Sequence, residues 1–319
     1  MKLKVIISSL ITPSFVEDLT NEFHNVDFIF DEDPSNFSEQ IGNADVFMGY
    51  LPRETFLEAK QLRWLHCPGT GVEKILEIKE VVESDVVITN ALDAHTQPMA
   101  DHGMGMIITL AHHLRDLWED QKLKKWNTRG YDGEMVELCG STMGILGIGG
   151  IGSAMAKRAQ SFGMSVYAID LDDSLLPEGV KEVWRPDRIS EVMAMSDWFV
   201  VAVPFTKETE NLIDDSHLAY LKKGARIIVL SRGGIVEETS LLKRLEDGSI
   251  GGAGLDATST EPLPKSSGLW SHPNVLITPH VSALTNEMWD SRREIFKENL
   301  RRFIEGKPFL YVCDKERGY

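Results

Sequence analysis

A chain of 319 residues exceeds what one core of ordinary size organises, and 42% hydrophobic with 26% charged residues suits two globular domains without disordered or repetitive tracts. The 33 basic against 49 acidic residues leave a net charge of -16, which argues against nucleic acid and membrane surfaces as partners and requires any anionic ligand to be held by a few local donors. Cys67, Cys139 and Cys313 form neither a CxxC pair nor a zinc spacing and fit a reducing compartment, and the N-terminal apolar run Val5-Ile6-Ile7 is too short for a signal or a membrane span, so the chain reads as cytoplasmic.

The first hundred residues alternate short apolar runs with helical patterns. Strands are expected at Val5 to Ser8, Asp27 to Phe30, Val46 to Met48, Trp64 to His66 and Val86 to Thr89, with crossover helices over Arg53 to Lys60 and Glu73 to Lys79. From Pro98 to about Trp126, Met99, Met106, Ile107, Leu110, Leu114 and Leu117 keep helical spacing and predict one long helix. A second series then begins, with strands at Met143 to Leu146, Ser165 to Ile169, Trp198 to Ala202, Arg226 to Leu230, Ala253 to Leu255 and Val275 to Ile277. A final helix, about Asn286 to Ile304, lies beyond the last strand and returns to the first domain. The expected fold is α/β, with two Rossmann-like or flavodoxin-like doubly wound parallel-sheet domains and a cleft between them. Residues 1–98 plus 284–319 form a substrate domain and 99–283 a dinucleotide-binding domain.

Gly147, Gly149 and Gly152 spell G-x-G-x-x-G directly after an apolar strand and before a helical pattern from Ser153 to Phe162. Glycines there permit a tight turn and close approach to a pyrophosphate, and Gly150 and Ile151 offer helix N-terminal N–H groups to its charge. Asp170 ends the following strand, where a carboxylate accepts the ribose hydroxyls of NAD and repels the 2′-phosphate of NADP; Asp172 and Asp173 reinforce that preference.

Three further strand ends carry polar chemistry. Arg232 precedes two glycines and can grip a carboxylate in bidentate geometry, as a 2-keto acid requires. His280, after Pro279, can exchange a proton with a substrate hydroxyl, and Glu261 can hold its orientation. Each residue alone also reads as a surface charge or a turn; their shared position after the glycine fingerprint favours catalysis.

These stretches, with Pro68-Gly69-Thr70-Gly71-Val72, Pro98-Met99-Ala100-Asp101-His102, Val203-Pro204-Phe205-Thr206, Gly254-Leu255-Asp256, Glu261-Pro262-Leu263-Pro264 and His272 through His280, resemble the D-isomer-specific 2-hydroxyacid dehydrogenase family over nearly the whole chain. That family includes glyoxylate/hydroxypyruvate reductases, D-lactate dehydrogenases and phosphoglycerate dehydrogenases. The resemblance implies NAD(H)-linked hydride transfer at C2 of a small 2-hydroxy or 2-keto acid, of glyoxylate/hydroxypyruvate type. It implies His280 as acid/base, Glu261 as its partner, and Arg232 on the carboxylate and carbonyl. It further implies that Gly69, Thr70 and Gly71 cradle the carboxylate, Asp256 bonds the nicotinamide carboxamide, and Val203, Pro204, Leu230 and Ser231 line the cofactor beside Arg232 and His280. A homodimer through the cofactor domain is implied as well. Asp101, Glu73 and Ser231 depart from the usual family residues, and Asp101 reads first as a favourable charge at a helix start. An NAD-sensing scaffold or corepressor-like protein of the same fold is the rival reading. A metal site is not supported, because the adjacent His112 and His113 diverge by about 100° around a helix.

Overall fold

Runs of β-branched and aromatic residues, covered by helices on both faces, are apolar throughout rather than alternating, and such runs form the central strands of both sheets in the computed structural model, which describes residues 2–8, 13–31, 33–37 and 39–319. The chain divides into two units, Met1–His95 with Thr285–Tyr319, and Thr96–Leu284. No helix among the described residues is long and apolar enough to cross a membrane.

The N-terminal unit contains β1 (Leu3–Ser8), α1 (Pro13–Glu22), β2 (Val26–Phe30), β3 (Val46–Gly49), α2 (Arg53–Glu58), β4 (Trp64–His66), α3 (Glu73–Leu76), α4 (Lys79–Glu83) and β5 (Val87–Thr89). Its five strands run parallel in the order β2-β1-β3-β4-β5. Phe47, Leu65, Ile75 and Val81 fill one face. Val5, Ile7 and Trp64 fill the other, together with Phe296 and Leu300 from the last helix of the chain, Asn286–Glu305. That helix starts where the Thr285 hydroxyl accepts the Met288 N–H at 3.1 Å and stops at Gly306, whose φ of 68° admits glycine readily. Its large apolar stripe explains why a C-terminal segment completes the first unit.

The C-terminal unit comprises α5 (Thr96–Ala111), α6 (Leu114–Lys122), β6 (Thr142–Leu146), α7 (Gly150–Ser161), β7 (Ser165–Ile169), β8 (Val180–Trp184), α8 (Ile189–Met195), β9 (Trp198–Val201), α9 (Asp215–Leu218), β10 (Ala225–Val229), α10 (Glu238–Glu246), β11 (Ile250–Leu255) and β12 (Val275–Ile277); the final helix of the chain is α11. Seven parallel strands lie in the order β12-β11-β10-β9-β6-β7-β8, so the winding reverses between β6 and β9, the position where open α/β sheets bind nucleotides. Met104, Ile107, Met155 and Ala159 of α5 and α7 cover one face, and Val192, Leu218 and Leu241 of α8, α9 and α10 cover the other.

Three expectations are corrected. The long helix is two helices, because His113 adopts a left-handed φ of 50° and its ring is engaged by Asp116 at 3.2 Å and by the Glu134 carbonyl at 3.3 Å. α6 then buries none of its residues, although the apolar spacing continues into it. The crossover expected over Glu73 to Lys79 divides into α3 and α4. β8, with the sequence VKEVW, is an edge strand beyond those named from the sequence, and its exposed Lys181 and Glu182 hide the pattern. Asp101 is also paired, accepting from Arg158 Nε at 2.7 Å.

Candidate active site

The glycine turn follows from steric requirements that differ at each position. Gly147 has φ +91° and lies so close to the β9 loop that an added Cβ would sit 2.7 Å from Val203 Cγ1 and 2.9 Å from Val203 N. At Gly152 the added atom would meet the Gly147 carbonyl oxygen at 2.0 Å, so this glycine lets α7 start tight against β6. Gly149 differs: nothing lies within 4 Å of its absent Cβ, which leaves the turn open on that side. α7 carries no side-chain cap, and its first intrahelical bond joins Ser153 N–H to the Gly149 carbonyl, so the Gly150, Ile151 and Gly152 N–H groups precede the ladder. An open glycine in front of uncapped helix amides fits a pyrophosphate. Asp170 accepts Ile148 N–H at 2.8 Å and Asp172 N–H at 3.2 Å, tying the end of β7 to this turn.

The other strand ends of this sheet converge by adjacency. β10, β11 and β12 are neighbours, and Arg232, Asp256 to Glu261, and His280 follow them in turn. A Cβ at Gly233 would lie 1.9 Å from the Thr258 carbonyl carbon, so the Arg232 loop presses backbone to backbone on the loop carrying Glu261. Glu261 bridges that loop and the next: one oxygen accepts Thr258 N–H at 3.1 Å and the other meets His280 Nδ1 at 2.8 Å. With Nδ1–H donated to a carboxylate, Nε2 is left without a partner among the described residues. Both side chains are about two-fifths exposed, at 42% for His280 and 40% for Glu261. Arg232 Nη1 donates to the Ser231 carbonyl at 2.8 Å.

Asp256, expected at the nicotinamide, is 1% exposed. Its carboxylate accepts the Thr278 hydroxyl at 2.6 Å, Val281 N–H at 3.0 Å and Ser282 N–H at 3.1 Å, and its carbonyl accepts His280 N–H at 2.9 Å. These bonds fasten the turn that holds His280 at a left-handed φ of 54°. Thus Asp256 fastens the turn that carries His280, and its oxygens are committed to protein donors. Leu230 is likewise buried against α5, a Cβ at Gly103 coming within 2.7 Å of its side chain, while Ser231 is buried with its hydroxyl on the Val201 carbonyl at 3.5 Å. Val203 and Pro204 are half-buried beside the glycine turn.

In the N-terminal unit, the loop after β4 turns its carbonyls away and leaves amides presented. The Gly69 carbonyl accepts Ala91 N–H at 2.9 Å, that of Thr70 accepts Asn90 Nδ2 at 2.8 Å, and that of Gly71 accepts the Cys67 thiol at 3.3 Å. The Thr70 and Gly71 N–H groups have no acceptor among the described residues, which is the arrangement of an anion-binding nest. Around this loop stand residues that sequence reasoning missed: His66, His95 and Arg292. His66 is fully buried and pushed down to about 3, by burial first and by the Arg292 charge second. Burial also holds the Cys67 thiol above its ordinary range, and that of Cys313 is pushed up to about 12. Nothing in the sequence marks Arg292 apart from the other arginines of α11.

The chain is similar to known proteins along nearly its whole length. A family model described as D-isomer specific 2-hydroxyacid dehydrogenase, NAD binding domain, matches residues 104–282. Glyoxylate reductase of Pyrococcus furiosus is 30% identical over 99% of this chain and 96% of its own length. D-3-phosphoglycerate dehydrogenase of Bacillus subtilis is 33% identical over 92% of this chain and 53% of its own, so the chain spans about half the length of that relative. Among solved structures, an NADPH-dependent glyoxylate/hydroxypyruvate reductase from Sinorhizobium meliloti, in complex with NADP and sulfate, superposes with a TM-score of 0.87 at 25% identity, covering 100% of both chains. A D-isomer specific 2-hydroxyacid dehydrogenase family protein from Aeromonas salmonicida gives 0.86 at 26% identity over 99% and 100%.

Proposed function

Because the chain belongs to the D-isomer specific 2-hydroxyacid dehydrogenase family, we propose that it interconverts a small 2-keto acid and the corresponding D-2-hydroxy acid with NAD(H), on substrates of glyoxylate/hydroxypyruvate type. The observation that carries this reading is the 2.8 Å pairing of His280 Nδ1 with the Glu261 carboxylate, on the strand edge that also bears Arg232. Glu261 fixes the ring and its tautomer, so that Nε2 faces the reaction. Arg232 offers a bidentate grip for the substrate carboxylate, and the Thr70 and Gly71 amides form a nest that suits an anion.

The turn from Gly147 to Gly152 and Asp170 would hold the dinucleotide, which when bound would supply or accept the hydride at C2. In the reducing direction His280 donates the Nε2 proton to the carbonyl oxygen of the substrate, and solvent restores it afterwards. Glu261 holds the ring in place and stabilises it while it carries charge. Asp256 holds the backbone of that turn still.

Asp170 supports NAD over NADP, because a carboxylate at the end of β7 repels a ribose phosphate. The Sinorhizobium relative was solved with NADP, so the preference rests on this chain's own turn. A homodimer through the C-terminal unit is supported by an apolar stretch there, with Trp118 61%, Leu123 62% and Trp126 94% exposed.

The decisive test is NADH oxidation with glyoxylate, hydroxypyruvate, pyruvate, phenylpyruvate and oxaloacetate, repeated with NADPH. Turnover of at least one keto acid, faster with NADH, is expected. Tight NADH binding with no turnover of any would replace this reading with a cofactor-sensing scaffold.

A further inference from the structure

α11 carries four arginines, and three are neutralised: Arg293 by Asp290, Arg301 by Glu22 and Glu298, and Arg302 by Glu298. Arg292 is the exception. Among the described residues no carboxylate pairs with it, its Nε is buried without any hydrogen-bond partner, and burial holds its guanidinium below the ordinary range. Its Nη2 donates to His95 Nε2, which must therefore be an acceptor on a neutral ring whose Nδ1–H donates to the Ala91 carbonyl at 3.0 Å. Its guanidinium carbon lies 4.7 Å from the centre of the Trp289 ring. These contacts fix the planar group in place without cancelling its charge. A desolvated, uncompensated cation is costly, and a ligand anion would offset that cost.

The surroundings point the same way. The electrostatic neighbours of Arg292 include Tyr50 and Cys67, and the Tyr50 hydroxyl stands 2.8 Å from where a Gly69 Cβ would be. Arg292 therefore borders the loop whose Thr70 and Gly71 amides await an acceptor. Tyr50, Cys67 with the loop amides, and His95 follow the carboxyl ends of β3, β4 and β5, the ligand-binding edge of a parallel sheet. If the loop amides already hold one carboxylate, a guanidinium beside them calls for a second negative group.

We propose that Arg292 is a specificity-determining residue that binds a second anionic group of the substrate, so that the preferred 2-keto acid bears a carboxylate or a phosphate remote from C1. This inference rests on the reading given under Proposed function. The chemistry at C2 is unchanged by it, but the preferred acid is one that carries a second anionic group instead of singly anionic glyoxylate or hydroxypyruvate.

The test measures kcat/KM with NADH for singly anionic pyruvate and hydroxypyruvate, for oxaloacetate and 2-oxoglutarate, and for phosphohydroxypyruvate. The wild-type protein is expected to favour one of the doubly anionic classes, and the better of the carboxylate and phosphate arms identifies the group. Arg292→Met keeps the aliphatic stem on Trp289 and should lower kcat/KM for that class about 50-fold, mainly through KM, with the singly anionic acids within about threefold. Arg292→Lys, which keeps the charge, should recover part of the loss. Equal losses on both classes, or no loss on either, overturn the proposal while leaving the dehydrogenase reading intact. A wild-type protein that reduces none of these acids removes both.

Discussion

His66 closes β4 in the N-terminal unit and His280 follows β12 in the C-terminal unit, so both imidazoles stand at carboxyl ends of parallel strands, yet their surroundings give them opposite chemistry. His280 is 42% exposed and meets a carboxylate. His66 is wholly buried, touches the Thr89 hydroxyl at 2.8 Å through Nδ1, leaves Nε2 unpartnered, and feels the positive charge of Arg292. A ring that must gain and lose a proton needs water or substrate on one nitrogen and a charge-stabilising partner on the other. His66 has neither, so it is a neutral packing residue, while Arg292 beside it keeps its charge for another purpose.

The sharpest way to break that contrast is to remove each ring. His280→Ala should lower kcat about 10³-fold, with NADH affinity by fluorescence titration unchanged, whereas His66→Phe should leave kcat within about threefold. Comparable losses from the two variants would end the distinction. The next effect is on stability. Between about pH 6.5 and pH 3 the unfolded chain protonates His66 and the folded chain does not, so the contribution is complete above pH 6.5 and is lost as pH falls. By pH 4 the loss amounts to about 3 kcal/mol. Urea titrations of the wild type and His66→Phe should therefore converge in slope with pH at neutrality and diverge in acid, the wild type losing more. Smaller again, Glu261→Gln should cost about 10²-fold in kcat, because an amide still orients the ring but cannot stabilise its positive form. A variant as active as the wild type would reduce Glu261 to a structural link between Thr258 and His280.

The two units also differ in how openly the sequence announces them. In the C-terminal unit the candidate groups sit on glycine-flanked strand ends, and the turn at Gly147 to Gly152, Asp170, Arg232, Glu261 and His280 can be picked out by residue type and order alone. The pairing of Glu261 with His280 follows once β11 and β12 are neighbours. β8 was not legible, since an edge strand exposes charge where a central one buries Val and Ile. Nor was the helix break at His113, which depends on a carbonyl 21 residues away rather than on glycine or proline. Asp256 shows a further limit: its place after an apolar strand is visible, but whether its oxygens face a ligand or a neighbouring turn depends on packing. In the N-terminal unit the glycines of the loop after β4 were visible, whereas Arg292 was not, because burial and the absence of a counter-charge are tertiary properties.

The smallest expected effect concerns the nucleotide end. Asp170 accepts Ile148 N–H and Asp172 N–H, so its carboxylate already has two fixed donors and retains lone pairs for ribose hydroxyls. Arg185 lies beside the same turn, donating to the Leu171 carbonyl at 2.7 Å. Taking away the carboxylate leaves Arg185 opposed by fewer acids in a turn that keeps Asp172 and Asp173, so a 2′-phosphate meets less repulsion. Asp170→Ala should raise KM for NADH about tenfold and lower that for NADPH, and adding Arg185→Ala should abolish the NADPH gain without restoring NADH. An unchanged ratio between the two cofactors would mean that Asp170 serves only to fasten the glycine turn and does not discriminate between NAD and NADP.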